Sequence, residues 1–374
     1  MSSPRGSEDE DGTILNHKKA SNATAVRRWL EMAARDLQDH ADVLNALNVF
    51  PVADEDTGTN LALTVSTASE AAGVLETPDL SELVTLAGQA ALEEARGNSG
   101  TLFSVFLTAL GHGLEGADRL TAAYLADAMS AGSVRAWSVL SDPVPGTMLS
   151  VLREAAAVGV PREGEAGSNQ QLAAYLLQLV GAAQEAVLAS SHSLEVLRGT
   201  RKVDAGALGM LIILDALRRA VAGHEPAGPQ LWAGSGEATD GAEPDAEEIH
   251  PVDEVLARIG YDLYPPVDDA DTAVLEALRE ANSGVEIMAT LDLTALDAAA
   301  VRYELAERGD SVIVSAVSQL DDDTWRWRVH VHVEDQQMAL EVLRGRGTPR
   351  NITVTGLAKE DRMRRVRVDS ADLD

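Results

Sequence analysis

The sequence predicts a multidomain chain, an all-helical first domain followed by a small α/β domain, and three observations carry that expectation. Apolar residues return every three or four positions from about Ala20 to Ala222. An acidic stretch without a basic residue follows, and beyond it β-rich runs alternate with helix-like ones. The first pattern is that of amphipathic helices, and the second cannot bury enough surface to fold. The third is that of short strands interleaved with helices.

Taken in order, residues 1–19 are polar and acidic, lack the apolar core of a secretory signal, and read as a disordered tail. Residues 20–223 form the helical domain, with repeats such as Val26, Leu30, Ala33, Leu37 and Leu172, Tyr175, Leu176, Leu179. Its breaks fall where Gly, Pro, Asn and Asp cluster: 48–60, 76–79, 96–99, 141–147, 158–168 and 198–206. Cutting there leaves roughly seven or eight helices of ordinary length. An acidic linker is expected over 224–255 and the small α/β domain over 256–357. Strands are expected at 285–291, 311–317 and 325–333, helices at 295–308 and 336–344, and a loose, charged tail at 358–374.

Composition removes several kinds of function. The chain has 374 residues and a formal charge of −30, so it lacks the Lys/Arg footprint that phosphate neutralisation on nucleic acid requires. With 45% apolar but only 3% aromatic residues, its core must be built from Ala, Leu and Val, which favours helices. There is no Cys, so a disulfide, a thiolate nucleophile and a Cys-based zinc site are all excluded. The apolar stretch from Ala205 to Leu214 is broken by Asp215, Arg218 and Arg219, short of the ~20 residues of a membrane span. No membrane span and a cytoplasmic location are therefore expected.

Chemistry concentrates in VFPVADEDTGTN, where Asp54 and Asp56 flank Glu55 in a turn just before an apolar helix. Mg²⁺ takes hard oxygens and is usually gripped by one or two carboxylates, with nucleotide phosphates supplying the rest. The same residues would also suit a solvated turn in which Asp54 or Thr59 caps the next helix. Three further loops, ARGNSG (95–100), PVPGTM (143–148) and KVDAGALG (202–209), each lead into an apolar helical run. A Gly/Ser/Thr loop opening a helix offers backbone N–H groups and the positive dipole end to an anion such as phosphate.

LNALNVFPVADEDTGTN, EARGNSGTLFS, DPVPGTMLSVLREAA and KVDAGALGMLIILDAL, in that order, resemble the nucleotide-binding domain of the dihydroxyacetone kinase family. More closely, they resemble the kinase subunit of bacterial fatty acid kinase. GDSVIVSAV, RVHVHVED and RNITVTGL resemble that subunit's middle domain. The resemblance implies a closed barrel of about eight antiparallel helices with ATP across one end. It implies Mg²⁺ held by Asp54 and Asp56, the catalytic pair, with Asn48 as a third ligand. It further implies that Thr57, Gly58, Thr59 and Asn60 lie close to phosphate or metal and that Asn98, Ser99 and Gly100 cradle phosphate. Gly146, Thr147, Asp204, Ala205 and Gly206 would close the nucleotide pocket. In the family the acceptor is a fatty acid whose carboxylate is presented by a separate DegV-like binding protein, giving an acyl phosphate. The partner expectations are thus a DegV-like protein, no nucleic acid, and a homodimer as an option.

Several positions depart from the family pattern. Glu55 stands where Gly is usual, a place that could mark a positive φ. Glu94 also replaces a usual Gly, and Pro145 a usual Glu. His330 and His332, two apart on an expected strand, share a face and could share a metal, and the related kinase pairs them with a Cys. Gly284 occupies that place, so either Glu286 completes an altered second metal site or the site is lost. The family's further C-terminal domain has no counterpart in this sequence. Two alternatives to a fatty acid kinase subunit therefore stand beside it: a non-enzymatic nucleotide-binding regulator or scaffold, and a dihydroxyacetone kinase-like subunit with a small ketone acceptor.

Overall fold

The structure, a computed structural model, describes residues 22–53, 55–162, 165–223, 250–260, 284–357 and 366–368. The expected tail at 1–19, most of the expected linker and Asp54 lie outside the described residues.

The helical domain runs α1 (Ala23–Asp39), α2 (Ala41–Leu47), α3 (Thr57–Val74), α4 (Leu80–Glu93), α5 (Gly97–His112) and α6 (Ala122–Val139). It continues with α7 (Met148–Ala156), α8 (Asn169–Ser193), a 3₁₀ turn (Glu195–Leu197) and α9 (Ala205–Ala222). Most of these helices start where the sequence supplies a capping side chain. Asp79 accepts from Glu82 N at 2.9 Å, Thr121 from Tyr124 N at 3.2 Å, Ser168 from Gln171 N at 3.1 Å and Asp204 from Ala207 N at 2.7 Å. The buried faces join one core of Leu, Val and Ala around the few aromatics, among them Trp29, Phe103, Phe106 and Tyr175. Trp29 donates its indole N–H to Ile213 O at 2.8 Å, fastening α1 to α9. Helix α9 is buried almost all round and carries Asp215 inside, held by Arg218 and Arg219 at 2.8 Å each. Arg219 also pairs with Asp36 on α1.

A tenth helix, α10 (Pro251–Ile259), corrects the expected domain boundary. Its apolar residues Val252, Val255 and Leu256 enter the helical core, and its Gly260 cap sits at φ 63. The chain from 250 to 260 therefore belongs with the helical domain, because an amphipathic helix must bury its apolar stripe on something. The ten α-helices described in the helical domain exceed the seven or eight expected, since the short α2 and the late α10 carry too few turns to register as periods. Among the described residues one helix, α8, is long and apolar enough by length and composition to cross a membrane; it packs within the helical core against α7 and α9.

The second domain runs β1 (Val285–Thr294), α11 (Ala295–Ala306), β2 (Asp310–Gln319), β3 (Thr324–Val333), α12 (Gln336–Arg344), β4 (Arg350–Gly356) and β5 (Val366–Val368). The sheet order is β2-β3-β1-β4-β5 and every pairing is antiparallel, so the domain is an α+β unit and not a parallel α/β one. Strand β5 lies in the stretch expected to be a loose tail and extends the sheet by pairing with β4.

The sheet has two buried faces. Ile287, Ala289 and Leu291 of β1 and Val329, Val331 and Val333 of β3 pack beneath α11 and α12. The alternate residues turn to the helical domain, whose core takes in Met288, Ile313 and Val317. Edge strand β2 is covered by the chain leaving α6: Leu140 bridges Ile313, and Ser141 N donates to Val312 O at 3.2 Å. Arg302 on α11 donates to Ser138 O at 3.2 Å and Leu140 O at 2.9 Å. The sheet face that carries His330 and His332 is thereby set against the helix-opening loops.

Candidate active site

Two cavities meet at this junction, and both domains line each of them. The smaller, about 40 Å³, is bounded by Asn48, Phe50, Pro51, Asp56, Thr57 and Asn60, by Gly97, Asn98 and Ser99, and by Glu286 and His332 from the sheet. By volume it takes about three waters or one hydrated ion, and not a nucleoside. The larger, about 210 Å³, shares Phe50, Pro51, Asn98 and Ser99 with it. It adds the apolar Leu102, Leu140, Val144 and Met148, then Asp142, Thr147, Asp204, Gly206, Asp310 and Ser311.

Local structure explains why these groups converge. The N-cap residues of α3, α5 and α7, which are Asp56, Arg96 and Thr147, make no side-chain capping hydrogen bond, unlike those of α4, α6 and α8. Their first turns line the two cavities, which is the arrangement in which backbone N–H groups and helix dipoles favour an anion. Asn98 Oδ1 is buried with no hydrogen-bond partner. An orphaned acceptor beside Asn48, Asp56 and Asn60 is a hard-oxygen set that fits a Mg²⁺ ion. Glu55 has φ 57, the left-handed conformation that the usual Gly at this place adopts without strain. Glu55 thus takes up the left-handed backbone itself and adds its carboxylate beside Asp56.

Asp204 joins the pocket to the scaffold. It caps α9, its N–H donates to Ser190 Oγ at 2.9 Å, and it is only 6% exposed. Burial pushes its carboxyl up to about 7, against hydrogen bonds from the Ala207 and Met148 amides that favour the charged form. Gly206 has no room for a side chain, since a Cβ there would lie 2.8 Å from Ser99 Oγ. Glycine is what lets the α9 start approach the α5 turn.

Not every residue implied by the resemblance lines a cavity. A Cβ on Gly58 would meet Ala41 O at 2.3 Å, and one on Gly100 would meet Thr64 Oγ1 at 2.5 Å, so these glycines serve helix packing. Thr59 is occupied with Asn45, which accepts from its N–H at 3.1 Å and donates to its hydroxyl at 3.0 Å. Gly146, at φ 91, shapes the turn before α7, its N–H donating to Ser150 Oγ at 2.8 Å, and Ala205 is buried in the first turn of α9. Residues that sequence reasoning missed are Asp142, Asp310 and Ser311, together with the apolar wall of the larger cavity.

The second cluster does assemble. Ligand atoms of Glu286, His330 and His332 lie within 4.8 Å of one another, and neither ring nitrogen of His330 has a hydrogen-bond partner. Burial holds His330 down to about 4, so it is neutral. Burial also works against charge on His332, but Asp310 and Glu286 at 3.5 and 3.9 Å outweigh it and raise the ring to about 9. A side chain at Gly284 would meet Val333 O at 2.7 Å, so a Cys is not accommodated there, and Glu286 is the third donor present.

The helix-rich domain thus has anion-receptive turns at one end and is closed there by an antiparallel sheet. Residues 51–219 match the DAK2 domain, and residues 283–364 match the FakA-like middle domain of fatty acid kinase. Residues 51–219 and 283–364 are thus similar to the two domains of a kinase-related, DhaL-type family close to the kinase component of fatty acid kinase. It is 33% identical over 191 residues to an uncharacterized protein of Staphylococcus saprophyticus, and 30% identical over 192 residues to one of Staphylococcus aureus. Each match covers 51% of this chain and 34% of the relative. The chain thus spans about a third of the length of the curated relatives it matches. Among solved structures it is similar to the dihydroxyacetone kinase from C. freundii in complex with AMP-PNP and Mg²⁺. That match has a TM-score of 0.40 and 22% identity, covering 59% of this chain and 38% of the other.

Proposed function

We propose that the chain is the nucleotide-binding subunit of a Mg-ATP-dependent phosphotransferase whose acceptor is the carboxylate of a fatty acid presented by a DegV-like binding protein. The observation that carries the reading is the pairing of cavities. A small one is lined by oxygen ligands and uncapped helix starts, and it opens beside a larger, largely apolar one. The smaller would take a metal ion and the phosphate oxygens that reach it, and the larger a nucleoside. Asn48, Asp56 and Asn60 would hold Mg²⁺ together with Asp54, and the ion would supply positive charge against the phosphate oxygens during transfer. The first turns of α3 and α5 would orient the phosphates through backbone N–H groups, and the sheet face would exclude water from them. A carboxylate acceptor arrives already deprotonated. Its oxygen bonds to the γ-phosphorus as the bond to the ADP oxygen breaks, so no base is needed. Glu286, His330 and His332, two imidazoles and a carboxylate, are a donor set for a second, zinc-like ion at the same junction.

Calorimetry with Mg-ATP on the wild-type chain and on Asp56→Ala tests the nucleotide site. Wild type is expected to bind, and the variant to lose Mg-dependent binding with no loss of thermal stability, since removing one carboxylate relieves repulsion in the acidic turn. An unchanged nucleotide affinity in the variant would overturn the site. Acyl phosphate formed from labelled ATP with a lipid-loaded DegV-like protein tests the acceptor, and its absence despite tight ATP binding would leave the regulator reading in place.

A further inference from the structure

We infer that the sheet domain reads the sugar of the bound nucleotide, through Asp310 and Ser311 at the start of β2. The inference rests on the nucleotide reading above and assigns it a specificity element outside the helical domain.

Position comes first. Asp310 and Ser311 line the larger cavity, and His332 lines the smaller one. Asp310 Oδ1 lies 3.5 Å from His332 Nδ1, so Asp310 stands where the two cavities join. In a nucleotide whose phosphates reach toward the polar cavity and whose base lies in the apolar one, the group nearest that join is the ribose.

Chemistry agrees with position. Asp310 offers carboxylate oxygens at the cavity wall, and a carboxylate is a hydrogen-bond acceptor. The ribose hydroxyls are donors, and a carboxylate on a ribose hydroxyl is a recurrent way of holding that sugar. Asp310 remains largely exposed toward the cavity, with a side-chain exposure of 79%.

The backbone there is shaped for the task. Ser311 has φ 54, a left-handed conformation unusual for a serine, and the β2–β3 register shifts between Asp310 and Ile313. Strain of this kind persists only where the surroundings enforce it, and it concentrates at binding sites. The enforcing contacts lie just beyond, where Leu140 and Ser141 pair with Ile313 and Val312. Those two residues begin the 140–147 loop that forms the cavity's apolar side, so the strand start and the loop are fixed to each other.

The test is calorimetry of Mg-ATP and Mg-2′-deoxy-ATP on the full chain, its Asp310→Ala and Asp310→Asn variants, and Asp142→Ala, which removes the other exposed carboxylate of the cavity. Wild type is expected to prefer ATP by about tenfold, the size of one hydrogen bond to a charged group. Asp310→Ala is expected to bind both nucleotides equally, at the deoxy level, and Asp310→Asn to retain part of the preference. A structural role alone would weaken both nucleotides and leave their ratio unmoved. The inference is overturned if wild type does not discriminate, if Asp310→Ala still does, or if only Asp142→Ala abolishes the preference. If wild type binds neither nucleotide, the failure lies with the nucleotide site itself.

Discussion

At the scale of single residues, Asp204 shows how a capping group becomes a pH-sensitive one. Its carboxyl titrates at about 7 in the folded chain against 3.8 when unfolded, because the pocket wall removes it from water. Below pH 3.8 the group is protonated in both states and costs nothing. As pH rises toward 7 the unfolded chain releases the proton first, so the contribution to stability falls across that window and stays low above it. His250 works the other way. Burial and its neighbours His40 and Arg219 hold it down to about 4, so stability through His250 is lost as pH falls from 6.5. The two are separated by difference. Asp204→Asn keeps an acceptor for the Ala207 amide, since Asn caps helices as well as Asp. Relative to wild type it is expected to gain stability progressively between pH 4 and 7 in denaturant titrations. A difference that is flat over that range would show that Asp204 is charged in the native chain.

At the scale of elements, legibility in the sequence follows from the kind of signal each element leaves. Helix breaks at Glu76, Arg96, Ser141 and Val158 are readable because Gly, Pro, Asn and Asp mark them, and the strands at 285, 311 and 325 are readable from alternating β-branched residues. Strand β4 and helix α10 are too short to show a period. Of the site, the turn at Asp56 and the loops at Asn98 and Thr147 are legible as acidic or Gly/Ser/Thr loops that open helices, and that these starts lack a side-chain cap is visible only in the structure. Gly58 and Gly100 look the same in sequence but face Ala41 and Thr64, a distinction that only packing makes. Asp310 is not legible at all, because nothing local says which strand end will face a loop of another domain. Helix α9 supplies an element-level prediction. Its Asp215, 1% exposed, is the shared partner of Arg218 and Arg219, and Arg219 ties it to Asp36 on α1. Asp215→Asn removes the central charge of a buried network and is expected to cost about 3 kcal/mol in urea unfolding. A loss below about 0.5 kcal/mol would mean that α1 and α9 are held by apolar contact and the Trp29 bond alone.

At the scale of the whole molecule, the sheet acts as a wall of the helical domain's site, since its second face is buried against the loops and shares their core through Met288, Ile313 and Val317. Such an arrangement couples nucleotide affinity to domain docking. Arg302 isolates that coupling because it lines neither cavity, yet its guanidinium reaches the Ser138 and Leu140 carbonyls at the root of the 140–147 loop. These bonds are partly solvent-exposed, so their loss should cost only about 1 kcal/mol in stability. Its effect should be felt in the cavity, because Leu140 and Asp142 line it and Ser141 is the residue bonded to β2. Arg302→Ala is therefore expected to weaken Mg-ATP binding by about five- to tenfold, the equivalent of that same energy, while the ratio of ATP to 2′-deoxy-ATP affinity stays as in wild type. Arg302→Lys should restore little, since an ammonium does not present the fork that spans two carbonyls. Unchanged ATP affinity in both variants would mean that the loop holds its shape without the sheet domain, and that the sheet contributes to the site only through the side chains it places there.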